Sequence, residues 1–109
     1  MKFGHFCLPT YFPDVDGSAG QLMRRWLDLL TESETLGFDS LWANEHHFDA
    51  YGGIIPSPPT LLAALSQRTQ RARLGTSIVV LPLHSPIEIA EQLAMVDLMS
   101  NGRVEFGIG

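Results

Sequence analysis

The spacing of apolar residues changes period several times along the chain, and each change marks an element. Leu22, Trp26, Leu29, Leu30 and Leu36 recur at helical intervals between about Gln21 and Leu36, and Gly37 stands where a helix usually stops, which predicts a helix. Before it, "KFGHFCL" at residues 2 to 8 is a β-rich run closing on Pro9, and "PDVDGSAG" is a loop dense in turn formers. After it, "SLWAN" at residues 40 to 44 predicts a second strand. Ser57 as N-cap and Pro58 at the first helical position then lead into "TLLAALSQRT", a second helix.

The run "LGTSIVVLP", residues 74 to 82, is apolar on both faces, as a strand buried in a parallel sheet must be. In "SPIE" a capping box is expected, with Ser85 accepting from the Glu88 amide, Glu88 reaching back, and Pro86 preset for the first turn. The third helix runs to about Ser100 with Gly102 as its stop, and "RVEFGIG", residues 103 to 109, is the fourth strand.

Strand and helix thus alternate in units of about 30 to 37 residues, which implies right-handed crossovers and a parallel sheet, either doubly wound or the start of a barrel. The loop after the first strand carries neither GxGxxG nor GxxxxGK, and that favours the barrel. A closed barrel takes eight units and typically about 250 residues, so four units are half of one. The expected fold class is α/β: the first four β/α units of a (β/α)8 barrel, strand order 1-2-3-4, with three helices on the outer face. Residues 1–109 are expected to be the N-terminal half of one domain, cut at the end of the fourth strand.

Composition narrows the partners. The 109 residues are 45% hydrophobic and 17% charged, with net charge -5, a globular balance without the basic patch that nucleic acid requires. The longest apolar stretch, "SIVVLPL", is strand-sized and far below the roughly 20 residues of a membrane helix. A lone cysteine, Cys7, forms no internal disulfide, and a cytoplasmic location is the default expectation.

The chemistry-bearing stretch is "EHH", Glu45, His46 and His47, at the carboxyl end of the second strand, where parallel α/β folds gather their chemistry. An imidazole with an unperturbed pKa of about 6.5 gives and takes protons near neutrality. Adjacent histidines point in different directions, so at most one reaches a given reacting atom, and the alternative is a purely structural pair. Glu45 either orients one imidazole or is a buried carboxylate satisfied by backbone amides. Neighbouring histidines lack the spacing of a zinc helix motif, and no metal is expected, although Asp49 and His84 could add ligands. His84 sits on the same rim, as a functional group or as loop packing. Cys7, His5 and Trp42 are expected to be packing residues.

Together "EHHF", "GTSIVVLPLHSP" and "DLMSNGRVEFGIG", supported by "FPD" and "LGFDSLWANEHHF", resemble the bacterial luciferase-like flavin-dependent monooxygenase family across essentially the whole chain. The resemblance implies an eight-stranded barrel with reduced FMN at its carboxyl-end mouth and oxygen as co-substrate. In such proteins reduced FMN and oxygen form a flavin hydroperoxide that attacks a small organic substrate, and a separate flavin reductase supplies the reduced flavin. Relatives with a deazaflavin act instead as reductases or dehydrogenases, and a non-catalytic half-barrel module is the remaining alternative. "EHHF" leans to FMN.

By position, the resemblance makes His46 the catalytic histidine, with Glu45 holding the local turn and His47 supporting the site. Ser77 and Ile78 match the point where the family places a cis peptide against the flavin ring, and Gly109 a position beside the ring where luciferase itself carries cysteine. "LHSP" departs from luciferase, in which a histidine directly precedes the proline, so His84 inherits no role. The family's phosphate-binding arginine would follow Gly109. The full-length protein is expected to be a homo-oligomer, with no membrane or nucleic-acid partner.

Overall fold

A computed structural model describes residues 1–109. In chain order the elements are β1 (Gly4–Cys7), α1 (Pro13–Asp16), α2 (Ala19–Thr35), β2 (Ser40–Ala43), α3 (Pro58–Ser66), β3 (Arg73–Thr76), a 3-10 turn (Leu81–Leu83), α4 (Pro86–Ser100) and β4 (Val104–Glu105). The chain is an α/β fold, and its four strands form one parallel sheet in the order β1-β2-β3-β4, as the alternation of elements predicts.

The pleat sorts the side chains by parity. Cys7, Leu41, Ala43 and Leu74 face the helices and are buried with Leu30 of α2, Leu61, Leu62 and Leu65 of α3, and Val96 of α4. Burial pushes the Cys7 thiol up to about 12, which keeps it protonated, so it packs and does not act as a nucleophile. On the opposite face the register aligns Phe6, Trp42, Gly75 and Glu105 in one row. The Trp42 indole, whose Nε1 donates to Ser40 Oγ at 2.8 Å, lies over Gly75; a Cβ there would overlap the ring. Trp42 and His5 are packing residues, the latter bonded through Nδ1 to Ser33 Oγ at 2.7 Å.

Several boundaries differ from the expected ones. The turn-rich "PDVDGSAG" contains α1, and α2 starts two residues before the expected Gln21 because Ser18 and Gln21 form a full capping box. Within α2 the buried stripe is Leu22, Leu30 and Ser33 with Trp26 half-buried, while Leu29 and Leu36 face outward. The capping box expected at Ser85 and Glu88 is not formed. Asn101, in the left-handed region at φ 61, is the residue that ends α4, one place before the expected Gly102. β3 and β4 are shorter than "LGTSIVVLP" and "RVEFGIG" suggest: regular pairing stops at Thr76 and Glu105, and past an irregular segment only an isolated bridge, Val79 to Ile108, continues it.

At the amino-terminal end of the strands, Glu34 near the end of α2 accepts hydrogen bonds from the amides of Gln70, Arg71 and Ala72 in the α3–β3 loop. Burial by itself would raise this carboxyl, but the three amides and the Arg103 charge outweigh it and hold Glu34 below the usual carboxylate range.

Candidate active site

Three segments meet at the carboxyl ends of β2, β3 and β4. Ser77 N donates to Ala43 O at 2.7 Å, Val79 N to Gly107 O at 3.0 Å, and Gly109 N to Val79 O at 3.1 Å, so the segment after β3 is stitched to β2 on one side and to residues 107–109 on the other. The Ser77–Ile78 peptide bond is cis, as the family resemblance implies. Thr76 Oγ1 donates to Gly107 O at 2.8 Å and accepts from Gly107 N at 3.0 Å, closing the same junction through a side chain. The Ile78 side chain lies over Gly107 and Gly109: a Cβ on Gly109 would meet Ile78 Cδ1, and one on Gly107 would overlap the Thr76 carbonyl. This stretch of the rim is therefore main chain topped by one aliphatic side chain.

The Glu45 carboxylate is fully buried. Its Oε1 accepts from His47 Nε2 and from His84 Nε2, each at 2.7 Å, and its Oε2 accepts from Val80 N at 3.0 Å. Burial alone would raise Glu45; the His47, Val80 and His84 hydrogen bonds, with the charge His84 brings, overcome that and leave the carboxyl below its ordinary range. An ionised carboxylate only accepts, so both imidazoles present a protonated Nε2 to it. Both alternatives open in the sequence are thus realised together, since Glu45 orients imidazoles and takes a backbone amide. The number is corrected, because it holds two imidazoles and neither is His46.

His46 is exposed, its main-chain N donates to Ile55 O at 3.3 Å, and its ring stands edge-on to Tyr51 with centroids 6.2 Å apart. Asn44, just before Glu45, is buried, and both polar atoms of its side chain lack a hydrogen-bond partner. Gly52, at φ +81, lets the loop cross directly over it, since a Cβ at that place would meet Asn44 Nδ2 and the His46 ring. Of the two further metal ligands the sequence offered, the structure brings only His84 to the cluster; Asp49 instead accepts from Tyr51 N at 3.0 Å and shapes the loop. Ligating atoms of Glu45, His47 and His84 lie within 4.8 Å of one another, a spacing a metal ion could use, although here those atoms are hydrogen-bonded to each other. The sequence places His84 on this rim but does not show its contact with Glu45: the two lie 39 positions apart, and only the pairing of β2 with β3 brings them together.

Two carboxylates held low by hydrogen bonds each make the fold lose stability in acid. Each contributes stability that is fully present above the unfolded-state value of 4.5 and is lost as pH falls through its lower folded-state pKa. The expected result is a thermal midpoint that is level from about pH 6 to 5 and falls steeply below about pH 4.5, with a shallower fall in Glu34→Gln, which has no proton to take up. Parallel wild-type and variant curves would count against Glu34 as a source of that loss.

No helix is long and apolar enough to cross a membrane. A family model described as "luciferase-like monooxygenase" matches residues 1–109. Limonene 1,2-monooxygenase of Rhodococcus erythropolis is 40% identical over 111 residues, which take in 100% of this chain and 27% of that protein. A monooxygenase from Streptomyces bottropensis superposes with a TM-score of 0.94 at 42% identity, covering 100% of this chain and 33% of that one. The oxygenating constituent of 3,6-diketocamphane monooxygenase of Pseudomonas putida, a type II Baeyer-Villiger enzyme solved in complex with FMN, superposes with a TM-score of 0.88 at 25% identity, covering 100% and 29%. The chain spans between a quarter and a third of the length of these relatives.

Proposed function

Because this chain belongs to the luciferase-like monooxygenase family, we propose that it forms the first four strand-helix units of a flavin-dependent monooxygenase that oxidises a small organic substrate with reduced FMN and molecular oxygen. The observation that carries this reading is the rim itself: an exposed histidine, His46, and a surface of exposed Ser77, Ile78 and Gly109 beside half-buried Gly107 share the carboxyl end of one sheet. The glycines let Ile78 and the Thr76 carbonyl pack directly onto main chain, which leaves a low surface topped by one aliphatic side chain on which a flat ring system could rest, and this is where the residues fit a flavin. The Pseudomonas relative with FMN bound supports the choice of cofactor. When bound, reduced FMN would supply the electrons that activate oxygen.

The chain's own groups then have distinct tasks. His46, unencumbered by any side-chain partner, gives or takes a proton at its exposed imidazole; Glu45 fixes the loop on which His46 sits; His47 supports Glu45. Ile78 and the glycines beside it bound the cofactor face. A separate flavin reductase supplies reduced FMN, the full-length protein is a homo-oligomer, and the site of action is the cytoplasm.

The test is to mix the purified full-length protein with photoreduced FMN, isotopically labelled dioxygen and a panel of aldehydes, cyclic ketones and terpenes. The expected result is one labelled oxygen atom in an organic product. Reduction of the panel by a reduced deazaflavin with no label incorporated from dioxygen would overturn the proposal.

A further inference from the structure

We propose that His84 is a positioning residue for this oxidation: by donating to Glu45 it holds the loop that carries His46 in fixed relation to the Ser77–Ile78 segment. The inference rests on the functional reading above and goes beyond it, since the family resemblance passes no role to His84.

The argument begins with what joins the two loops. Ordered pairing between β2 and β3 ends at Ala43 and Thr76, and the last main-chain bond across that pair is Ser77 N to Ala43 O at 2.7 Å. Beyond it no main-chain hydrogen bond connects residues 44–57 to residues 78–85. The polar connections are those of Glu45: Oε2 with Val80 N at 3.0 Å and Oε1 with His84 Nε2 at 2.7 Å. Val80 lies two residues past Ile78, and His84 closes the 3-10 turn that follows, so Glu45 grips the second loop at both ends of its irregular part.

Nothing else ties His46 to that second loop. Its ring contacts Tyr51 edge-on, its main-chain N bonds Ile55 O at 3.3 Å within its own loop, and the loop's further tie, Tyr11 N to Ala50 O at 3.1 Å, leads back to the segment after β1. Because the carboxylate is buried and ionised, losing one of its three donors leaves an under-satisfied charge that must shift or draw in water, and the backbone at 45–47 moves with it. A displacement of about 1 Å at a reacting group costs up to about a hundredfold in rate. The imidazole of His84 is three-quarters covered yet sits at the rim, so it can be changed without emptying the core.

The experiment compares the wild-type flavoprotein with His84→Ala and His84→Gln, measuring kcat, KM for the organic substrate, reduced-FMN affinity and unfolding midpoint. His84→Ala is expected to lower kcat about ten- to a hundredfold with KM and reduced-FMN affinity unchanged. His84→Gln, whose side-chain amide can still donate to Glu45, is expected to recover most of the loss. If His84→Ala fails to fold, His84→Leu, which keeps the bulk but cannot donate, replaces it. A wild-type protein without turnover overturns the functional reading and this proposal with it. An active wild type matched by His84→Ala, a loss that falls on KM alone, or a His84→Gln variant as slow as His84→Ala overturns the proposal only. So does loss of wild-type turnover on dialysis against a chelator, which would make Glu45, His47 and His84 a metal centre.

Discussion

Replacing Arg103 with methionine is expected to cost about 3 to 5 kcal/mol of folding stability, enough to empty the folded state of a marginal domain. The Arg103 guanidinium is buried, and each of its five N–H groups has an acceptor: Nε on Ser100 O at 2.7 Å, Nη1 on Thr69 Oγ1 at 2.8 Å and Ala72 O at 2.9 Å, Nη2 on Ser66 O and Thr69 O, each at 3.0 Å. Those acceptors are the last carbonyls of α3 and α4 and the loop into β3, so one side chain satisfies groups that helix ends otherwise leave open. Replacing a buried ion pair by apolar groups is often tolerated because both partners go together. Here four of the five acceptors are main-chain oxygens, which no substitution at position 103 removes. Burial pulls the Arg103 pKa below its ordinary value, and the Glu34 charge opposes that fall. Denaturant unfolding of Arg103→Met and Arg103→Lys checks the expectation; lysine, with three donors instead of five, should fall between methionine and the wild type. A loss below about 1 kcal/mol for methionine would mean that water replaces the guanidinium at little cost.

Arg103 also shows where the sequence stops being legible. It stands at the head of "RVEFGIG" and looks like the first residue of a strand, yet its side chain serves carbonyls 31 to 37 positions earlier. Local periodicity carries the elements and their parallel order, because the apolar stripe of α2 and the alternation of strand and helix are properties of neighbouring residues. It fails where long-range partners decide. "LGTSIVVLP" has the composition of one strand throughout, but after Thr76 the chain leaves the ladder and Leu81–Leu83 form a 3-10 turn around Pro82. Ser85 and Glu88 have the spacing of a capping box without its bonds, while Ser18 and Gln21 form one inside a stretch that resembles plain loop. In the candidate site the position of Glu45, His46 and His47 at a strand end was readable. That Glu45 holds two imidazoles was not, since the second, His84, arrives on a loop from the next unit.

Replacing His46 with alanine is expected to lower oxidation of the organic substrate about a hundredfold or more while leaving reduced FMN bound, the scale of a lost general acid or base. The fold should be nearly indifferent to the change, because the His46 ring is exposed, touches Tyr51 edge-on and satisfies no buried group. His47→Ala is expected to differ on both measurements. It removes one of the two imidazole donors on a fully buried carboxylate, so it lowers stability, and it slows turnover only by the smaller factor, up to about a hundredfold, that a displaced loop costs. Single-turnover mixing of oxygen with preformed complexes of each variant and reduced FMN, alongside thermal unfolding of the same samples, separates the two effects. The assignment predicts a slow, stable His46→Ala and a less stable, faster His47→Ala. Equal rate losses at both positions would place the proton-transfer role on the Glu45 cluster instead, and a His46→Ala variant with native turnover would remove His46 from the chemistry altogether.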